Sequence, residues 1–125
     1  MDAMDHLVSG TAAFQACYVQ PPTMVVTSQT WTARFNFPPD LPVFAGHFPN
    51  DPILPGFMQI ELALDLLRRL KMGGQLQAVR QARFFLPIRP GRNVDVSLEA
   101  LADHRFHLEL KADGELCAVM EITAS

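Results

Sequence analysis

The stretch "GFMQIELALDLLRRLKM", residues 56–72, decides the fold, because it predicts one long helix in a chain whose other regular segments have strand patterns. Strong helix formers fill the stretch, Pro55 precedes it, and Gly73 and Gly74 follow it as stop signals. Its apolar residues fall on most faces of a helix, which is typical of a helix buried inside the protein. We therefore expect a central helix enclosed by strands.

Strand patterns lie on both sides of this helix. Residues 24–37 are rich in β-branched and aromatic residues and predict one long strand, whereas residues 1–22 give no definite prediction beyond an end at Pro21 and Pro22. Strands are also predicted at 76–88, 93–101, 105–112 and 115–123. Asp113 and Gly114 predict a two-residue hairpin turn between the last two. The chain is thus expected to be one α+β domain over residues 1–125, in which an antiparallel meander covers the helix.

The segment from residue 38 to residue 56 holds six of the ten prolines, so no regular structure is predicted there. A loop of this length in a compact domain usually has a function. His47 lies in the loop, and Glu61 lies in the second turn of the helix that follows.

Composition limits the function classes. A net charge of −3 argues against a general nucleic-acid binder. Seven of the ten basic residues fall between Leu66 and Val94, where no acidic residue occurs. This window predicts either a solvated basic face or a docking patch for an acidic partner. Cys17 and Cys117 have no metal-site spacing and are expected to be buried thiols in a reducing cytoplasm, and neither a signal peptide nor a membrane span is predicted.

His47 and Glu61 are the candidate chemical groups. A histidine that accepts a proton and a carboxylic acid that donates one form an acid–base pair. Between them, Gly56 and Phe57 present backbone amides at a helix N-terminus, where they can polarise a carbonyl oxygen. The spacing alone does not distinguish an acid–base pair from ordinary packing around a helix that begins with Pro-Gly.

The segment resembles the active-site signature of the FabZ/FabA-type 3-hydroxyacyl-acyl carrier protein dehydratases. The matching residues are His47-Phe48-Pro49, Pro52, Pro55-Gly56 and Glu61, fourteen residues after the histidine. "ARFFLPIRPG", residues 82–91, is similar to a second signature of that family, an aromatic pair followed by Pro-x-x-Pro-Gly. The resemblance covers about residues 24–123 and implies the hotdog fold, an antiparallel curved sheet wrapped around one long helix.

The resemblance implies a role for each matching residue. His47 resembles the base that removes the C2 proton of a 3-hydroxyacyl thioester, and Glu61 resembles the acid that protonates the departing C3 hydroxyl. Gly56, with Phe57, resembles the amide donor to the thioester carbonyl. No metal or cofactor is implied, because the acyl group arrives on the phosphopantetheine of an acyl carrier protein. The implied assembly is a homodimer, or a higher oligomer or heterodimer, whose subunits share each active site.

Glu61 and Asp65 bear on the subtype. Glu61 resembles the FabZ branch, which dehydrates without isomerising, since the FabA branch has Asp there. Asp65 departs from the usual Gln of the family. One expectation is that Asp65 acts on Glu61, because carboxylates four residues apart on a helix repel each other. The other is that Asp65 reaches solvent or pairs with Arg68 or Arg69. The family includes small divergent members, among them the ApeI-like dehydratases of aryl polyene pathways. The resemblance therefore leaves both primary fatty-acid synthesis and a specialised pathway open.

Further site predictions follow from the same resemblance. The acyl-tunnel candidates are Phe44, Phe48, Phe84 and Phe85, for which an aromatic core is the alternative, and the carrier-docking candidates are Arg68, Arg69, Arg80 and Arg83. Two other functions stay open. One is a hotdog acyl thioesterase, in which one carboxylate activates water, and the other is a non-catalytic acyl-carrier-binding subunit, which Asp65 favours. The presence of His47 together with Glu61 favours dehydration, because hydrolysis does not need the pair.

Overall fold

The structure, a computed structural model, describes residues 14–27, 29–45 and 51–125. In chain order the elements are β1 (Tyr18–Val25), β2 (Thr30–Asn36), the single helical turn α1 (Pro42–Ala45), the helix α2 (Gly56–Arg69), β3 (Leu76–Phe84), β4 (Asn93–Ala100), β5 (Arg105–Ala112) and β6 (Glu115–Ala124). The predicted combination of one long helix with an antiparallel sheet is confirmed.

The six strands form one antiparallel sheet in the order β1-β2-β4-β5-β6-β3. Strands β4, β5 and β6 form the predicted meander. Strand β3, however, pairs with β6 and lies at one edge of the sheet. The prediction of a meander through all four later strands is therefore wrong at β3, because sequence order does not fix which strands pair.

The alternating segments face the core as predicted. Val94, Val96 and Leu98 of β4 are buried, and so are the predicted inward residues of β5 and those of β6 from Ala118 onward, whereas Ala100 is exposed and Leu116 is half-buried at the ends of their strands. Asp113 and Gly114 both have positive φ, 52° and 80°, which is the backbone of the tight hairpin turn that their sequence predicts.

The N-terminal region differs from the prediction. Residues 24–37 are not one strand, since β1 ends at Val25 and β2 begins at Thr30. Pro21 and Pro22 lie inside β1, within the register shift between Gln20 and Thr23 in its pairing with β2. Because β1 is an edge strand, the missing proline N–H groups can face away from the sheet, so prolines that predict a stop are tolerated.

The proline-rich loop contains one regular element, the turn α1, although none was predicted. Proline at the first position of a helix is favourable because its missing N–H would have no partner there and its φ is already helical. Phe44 of α1 is buried in the core.

Helix α2 provides the centre of the core. It ends at Arg69, earlier than the glycines predict, and Lys71 follows in the left-handed region with φ 56°. Residues 62–67 of α2 are all buried, and all of them except Asp65 belong to one hydrophobic cluster with the inward side chains of the sheet. The predicted buried central helix is confirmed, and none of the helices in the described ranges is long and apolar enough to cross a membrane.

Candidate active site

The start of α2 is held in place by two hydrogen bonds to the residue that precedes Pro55. The N–H of Leu54 donates to the carbonyl of Ile88 at 2.8 Å, and the carbonyl of Leu54 accepts from Nε2 of Gln59 at 3.2 Å. Leu54 itself is buried. The chain therefore enters the helix at a fixed place and angle, between the β3–β4 connection and the first turns of α2.

Gly56 opens the helix at a point of close approach. A Cβ added to Gly56 would lie 2.9 Å from Cζ of Phe84, well inside the about 3.5–4.0 Å of an ordinary carbon–carbon contact. No acceptor for the Gly56 N–H lies among the described residues, as expected for the first N–H groups of a helix. Glycine thus leaves this amide accessible beside an aromatic ring, and the predicted role of Phe57 remains a prediction.

Glu61 lies five residues into α2 and is half-buried. With a rise of about 1.5 Å per residue, it stands about 7.5 Å along the helix axis from Gly56. Its backbone is fixed by the buried helix. His47, the predicted base, lies outside the described residues, and so does Phe48.

A groove of about 490 Å³ lies beside the start of α2. Its lining residues are Ile53, Leu54, Gly56, Gln59, Phe84, Phe85, Leu86 and Pro87. They come from the end of the proline-rich loop, the first turns of α2 and the segment after β3, so the two sequence signatures meet here. Of the tunnel candidates, Phe84 and Phe85 lie on this groove and are 47% and 53% exposed, whereas Phe44 is buried in the core.

Asp65 is fully buried and belongs to a three-residue cluster. Its Oδ2 accepts hydrogen bonds from Oη of Tyr18 and from Nε of Arg69, both at 2.8 Å, and the Arg69 guanidinium stacks on the Tyr18 ring at 4.3 Å. Oδ1 of Asp65 and Nη2 of Arg69 are buried without a partner in the described part of the chain. Of the alternatives for Asp65, pairing with Arg69 is confirmed and exposure to solvent is wrong.

The Asp65 cluster changes the titration of two neighbouring groups. Burial, followed by the hydrogen bond to Asp65 and its charge, raises the pKa of Tyr18 far above its ordinary value of about 10. Burial, followed by the charge of Asp65, also raises the pKa of the Cys17 thiol. Both groups therefore stay protonated near neutrality, and Cys17 is a buried free thiol as predicted.

The basic window is divided between internal and external contacts. Arg69 contacts Asp65 and Tyr18 inside the protein, and its role in docking remains a prediction. Arg68 donates from Nε to the carbonyl of Gly74 at 3.1 Å. Arg80 and Arg83 are exposed on the edge strand β3, and Arg80 makes a 3.3 Å hydrogen bond to Thr123. The pair on β3 is the better placed part of the predicted docking patch.

Two contributors to this region were missed by the sequence analysis. Gln59 is polar but buried, and a glutamine among Phe57, Met58 and Ile60 was the available signal. Tyr18 was missed because its partner lies 47 residues away. Within the described ranges, no group of three or more His, Cys, Asp or Glu side chains is arranged to hold a metal ion.

Comparison with known proteins gives consistent matches. The ApeI-like family model, described as ApeI dehydratase, matches residues 23–121. The 3-hydroxyacyl-[acyl-carrier-protein] dehydratase FabZ of Pseudoalteromonas translucida is 36% identical over 95 residues, covering 65% of this chain and 63% of the relative. The FabZ of Campylobacter curvus is 36% identical over 102 residues, covering 66% of this chain and 68% of that protein. The match thus spans less than two thirds of the Pseudoalteromonas relative.

Solved structures match the fold as well. The dehydratase heterocomplex ApeI:P from Xenorhabdus doucetiae superposes with a TM-score of 0.69 at 23% identity, covering 75% of this chain and 85% of that chain. The six-stranded curved antiparallel sheet with one helix is the arrangement of these hotdog dehydratases, so the predicted hotdog fold is confirmed.

Proposed function

Since the chain belongs to the ApeI-like dehydratase family, we propose that it removes water from a (3R)-3-hydroxyacyl thioester of an acyl carrier protein and leaves a trans-2-enoyl thioester. The observation that carries the proposal is the arrangement on α2. Gly56, whose backbone N–H has no acceptor among the described residues, lines the groove, and the half-buried Glu61 follows five residues later on the same helix. The FabZ relatives, whose name states this activity, support it.

The steps follow from what each group can do. The Gly56 N–H donates to the thioester carbonyl, which stabilises the negative charge that develops on that oxygen when a proton leaves C2. His47 takes the C2 proton, and the electron pair forms the C2=C3 double bond. Glu61 protonates the C3 hydroxyl, which departs as water. Transfer of the proton from His47 back to Glu61 restores both groups, so the cycle needs no metal or other cofactor.

A second subunit is proposed at strand β3. All nine residues of this edge strand are exposed or only half-buried, and Leu76, Val79 and Phe84 are among them. An exposed apolar edge strand is a pairing site for another chain. We place a second copy there, in a homodimer in which His47 of one subunit serves the Glu61 of the other. A related but different subunit is the alternative, and the heterocomplex of the Xenorhabdus protein makes it worth testing.

Arg80 and Arg83 form the proposed docking surface for the acidic carrier protein. Both are exposed on β3, the strand that ends at Phe84, and because strand side chains project from the faces of a sheet they stay accessible when a second copy pairs with the backbone of β3. The pathway is fatty-acid or polyene and polyketide-like synthesis. We place the reaction in the cytoplasm, where buried free thiols such as Cys17 and Cys117 are stable.

Product identity tests the proposed reaction. The protein is incubated with a 3-hydroxyacyl thioester of a carrier protein, and the acyl carrier is weighed by mass spectrometry. Loss of one water supports dehydration. Release of the free acid would instead indicate a thioesterase, and an unchanged acyl carrier, in the presence of intact folded protein, would indicate a non-catalytic carrier-binding subunit.

Mixing two inactive variants tests the shared site. In a mixed dimer of His47→Ala and Glu61→Gln, one of the two sites would again hold both His47 and Glu61. Random mixing should therefore restore about a quarter of the wild-type rate, because about half of the dimers are mixed and each has one working site. No recovery on mixing, with subunit exchange verified, would place both groups in one chain.

A further inference from the structure

Gln59 is a buried polar side chain at the start of the central helix, only 4% exposed. Its Nε2 donates to the Leu54 carbonyl. Because a carbonyl only accepts, this contact identifies the amide end that carries the hydrogens, and Oε1 must be the other end. Oε1 has no hydrogen-bond partner in the described part of the chain.

An unpaired buried carbonyl oxygen needs an explanation, since nearly all such atoms in native proteins have a donor. One half of the Gln59 amide has a structural task, which is to hold Leu54 and therefore the entry into α2. An apolar side chain of similar length would fill the same space without stranding an acceptor. A donor that arrives with a ligand would satisfy this oxygen.

The location of Gln59 limits what that ligand is. Gln59 lines the groove with Gly56, three residues before it on the same face of α2, and Phe84, Phe85 and Leu86 line it as well. The groove therefore offers an N–H donor at Gly56 and a carbonyl acceptor at Gln59 between aromatic walls. Side chains three residues apart on a helix are about 5–6 Å from each other.

A thioester on phosphopantetheine fits this pair of groups. Two methylenes separate its sulfur from the nearest amide nitrogen, so the carbonyl and the amide N–H lie a few bonds apart along a flexible arm. We propose that Oε1 of Gln59 accepts a hydrogen bond from this cysteamine amide while the Gly56 N–H donates to the thioester carbonyl. This assignment rests on the proposed function and adds a residue that recognises the arm rather than the acyl chain.

Two substrates that differ in one group test the assignment. The first is a 3-hydroxyacyl N-acetylcysteamine thioester, and the second is its analogue in which a methylene replaces the amide N–H. The wild-type protein should prefer the first by about tenfold in kcat/KM, the effect expected of one hydrogen bond to a desolvated acceptor. Gln59→Met should lower this preference to about twofold or less, and Gln59→Glu, which keeps an acceptor, should retain part of it.

The ratio of the two substrates isolates the contact from folding. A loss of stability in Gln59→Met, through the lost bond to Leu54, lowers both rates equally and leaves the ratio unchanged. An unchanged preference in Gln59→Met, or an equal fall for both thioesters, would overturn the proposal.

Binding of pantetheine itself, measured by calorimetry, separates this inference from the reaction. About tenfold weaker binding by Gln59→Met than by wild type supports the contact even if no thioester is dehydrated, in which case the proposed function alone fails. Equal binding by the two proteins would overturn the contact.

Discussion

Replacing Tyr18 by Phe removes one hydroxyl group from the cluster that joins β1 to the central helix. The ring remains, so its stacking with Arg69 and its packing are kept, and Asp65 keeps its bond to Arg69. What is lost is the 2.8 Å hydrogen bond from Tyr18 to a carboxylate that is fully buried. Hydrogen bonds to charged groups contribute about 1.5–3 kcal/mol, and we expect the free energy of unfolding to fall by about 2 kcal/mol near neutral pH.

The same contact predicts how the difference depends on pH. The pKa of Tyr18 is raised in the folded protein, so the contribution is fully present below the unfolded pKa of about 10 and is lost as pH rises above it. Above about pH 10 the unfolded state loses a proton that the folded state keeps, and the advantage of wild type falls by about 1.4 kcal/mol per pH unit. A difference of about 2 kcal/mol should therefore vanish near about pH 11.5.

Denaturant unfolding at a series of pH values measures this difference. Fluorescence of Trp31, the single tryptophan, reports unfolding, and absorbance of tyrosinate reports ionisation of the single tyrosine. Thr23→Val is a matched hydroxyl deletion at an exposed site on β1 and should change stability by less than about 0.5 kcal/mol. The reasoning is refuted if Tyr18→Phe is as stable as wild type at pH 8, if the difference stays constant through pH 11.5, or if tyrosinate forms near pH 10 while the protein is folded.

Three further changes test other parts of the structure. Gly56→Ala should lower kcat/KM by about 10²-fold or more, because the added Cβ would lie 2.9 Å from the Phe84 ring and displace the thioester carbonyl from the Gly56 amide. The exposed ring can move, so the free energy of unfolding should change by less than about 1 kcal/mol. An unchanged rate would contradict the role assigned to the Gly56 amide. Leu98→Ala, at a fully buried position of β4, should destabilise by about 3 kcal/mol in thermal unfolding, whereas exposed Val19→Ala should have little effect, and similar values for both would contradict the core assignment. Reversing the charges of Arg80 and Arg83 should raise KM for the carrier-bound substrate about tenfold at low salt and leave KM for the N-acetylcysteamine thioester unchanged; equal effects on both would exclude docking there.

The parts of the fold that were predictable are those with a local signal. The apolar residues of the helix at 56–69 recur with a helical period, and those of β4 to β6 alternate as in a strand. The hairpin turn is predicted by Asp113-Gly114 alone. The pairing of β3 with β6 and the division of residues 24–37 had no such signal. Strand pairing depends on distant partners, and β-branched composition continues across the turn between Val25 and Thr30.

The candidate site divides in the same way. Gly56 and Glu61 lie close in sequence and their placement on one helix was predictable, but the groove also needs Phe84 and Leu86, which only the fold brings to Gly56. The task of Arg69 was not evident from the run of basic residues. Its side chain is occupied because Asp65 and Tyr18 converge on it, a contact between residues far apart in the chain.

In the proposed reaction, Glu61 donates the proton that turns the departing hydroxyl into water. The most direct test of this step is the single-turnover rate of dehydration of a 3-hydroxyacyl carrier thioester by Glu61→Gln, beside wild type under the same conditions. Glutamine keeps the size and polarity of the side chain but has no acidic proton, so we predict a fall of about 10²–10⁴ in rate with thermal unfolding essentially unchanged. A rate within threefold of wild type would contradict the account.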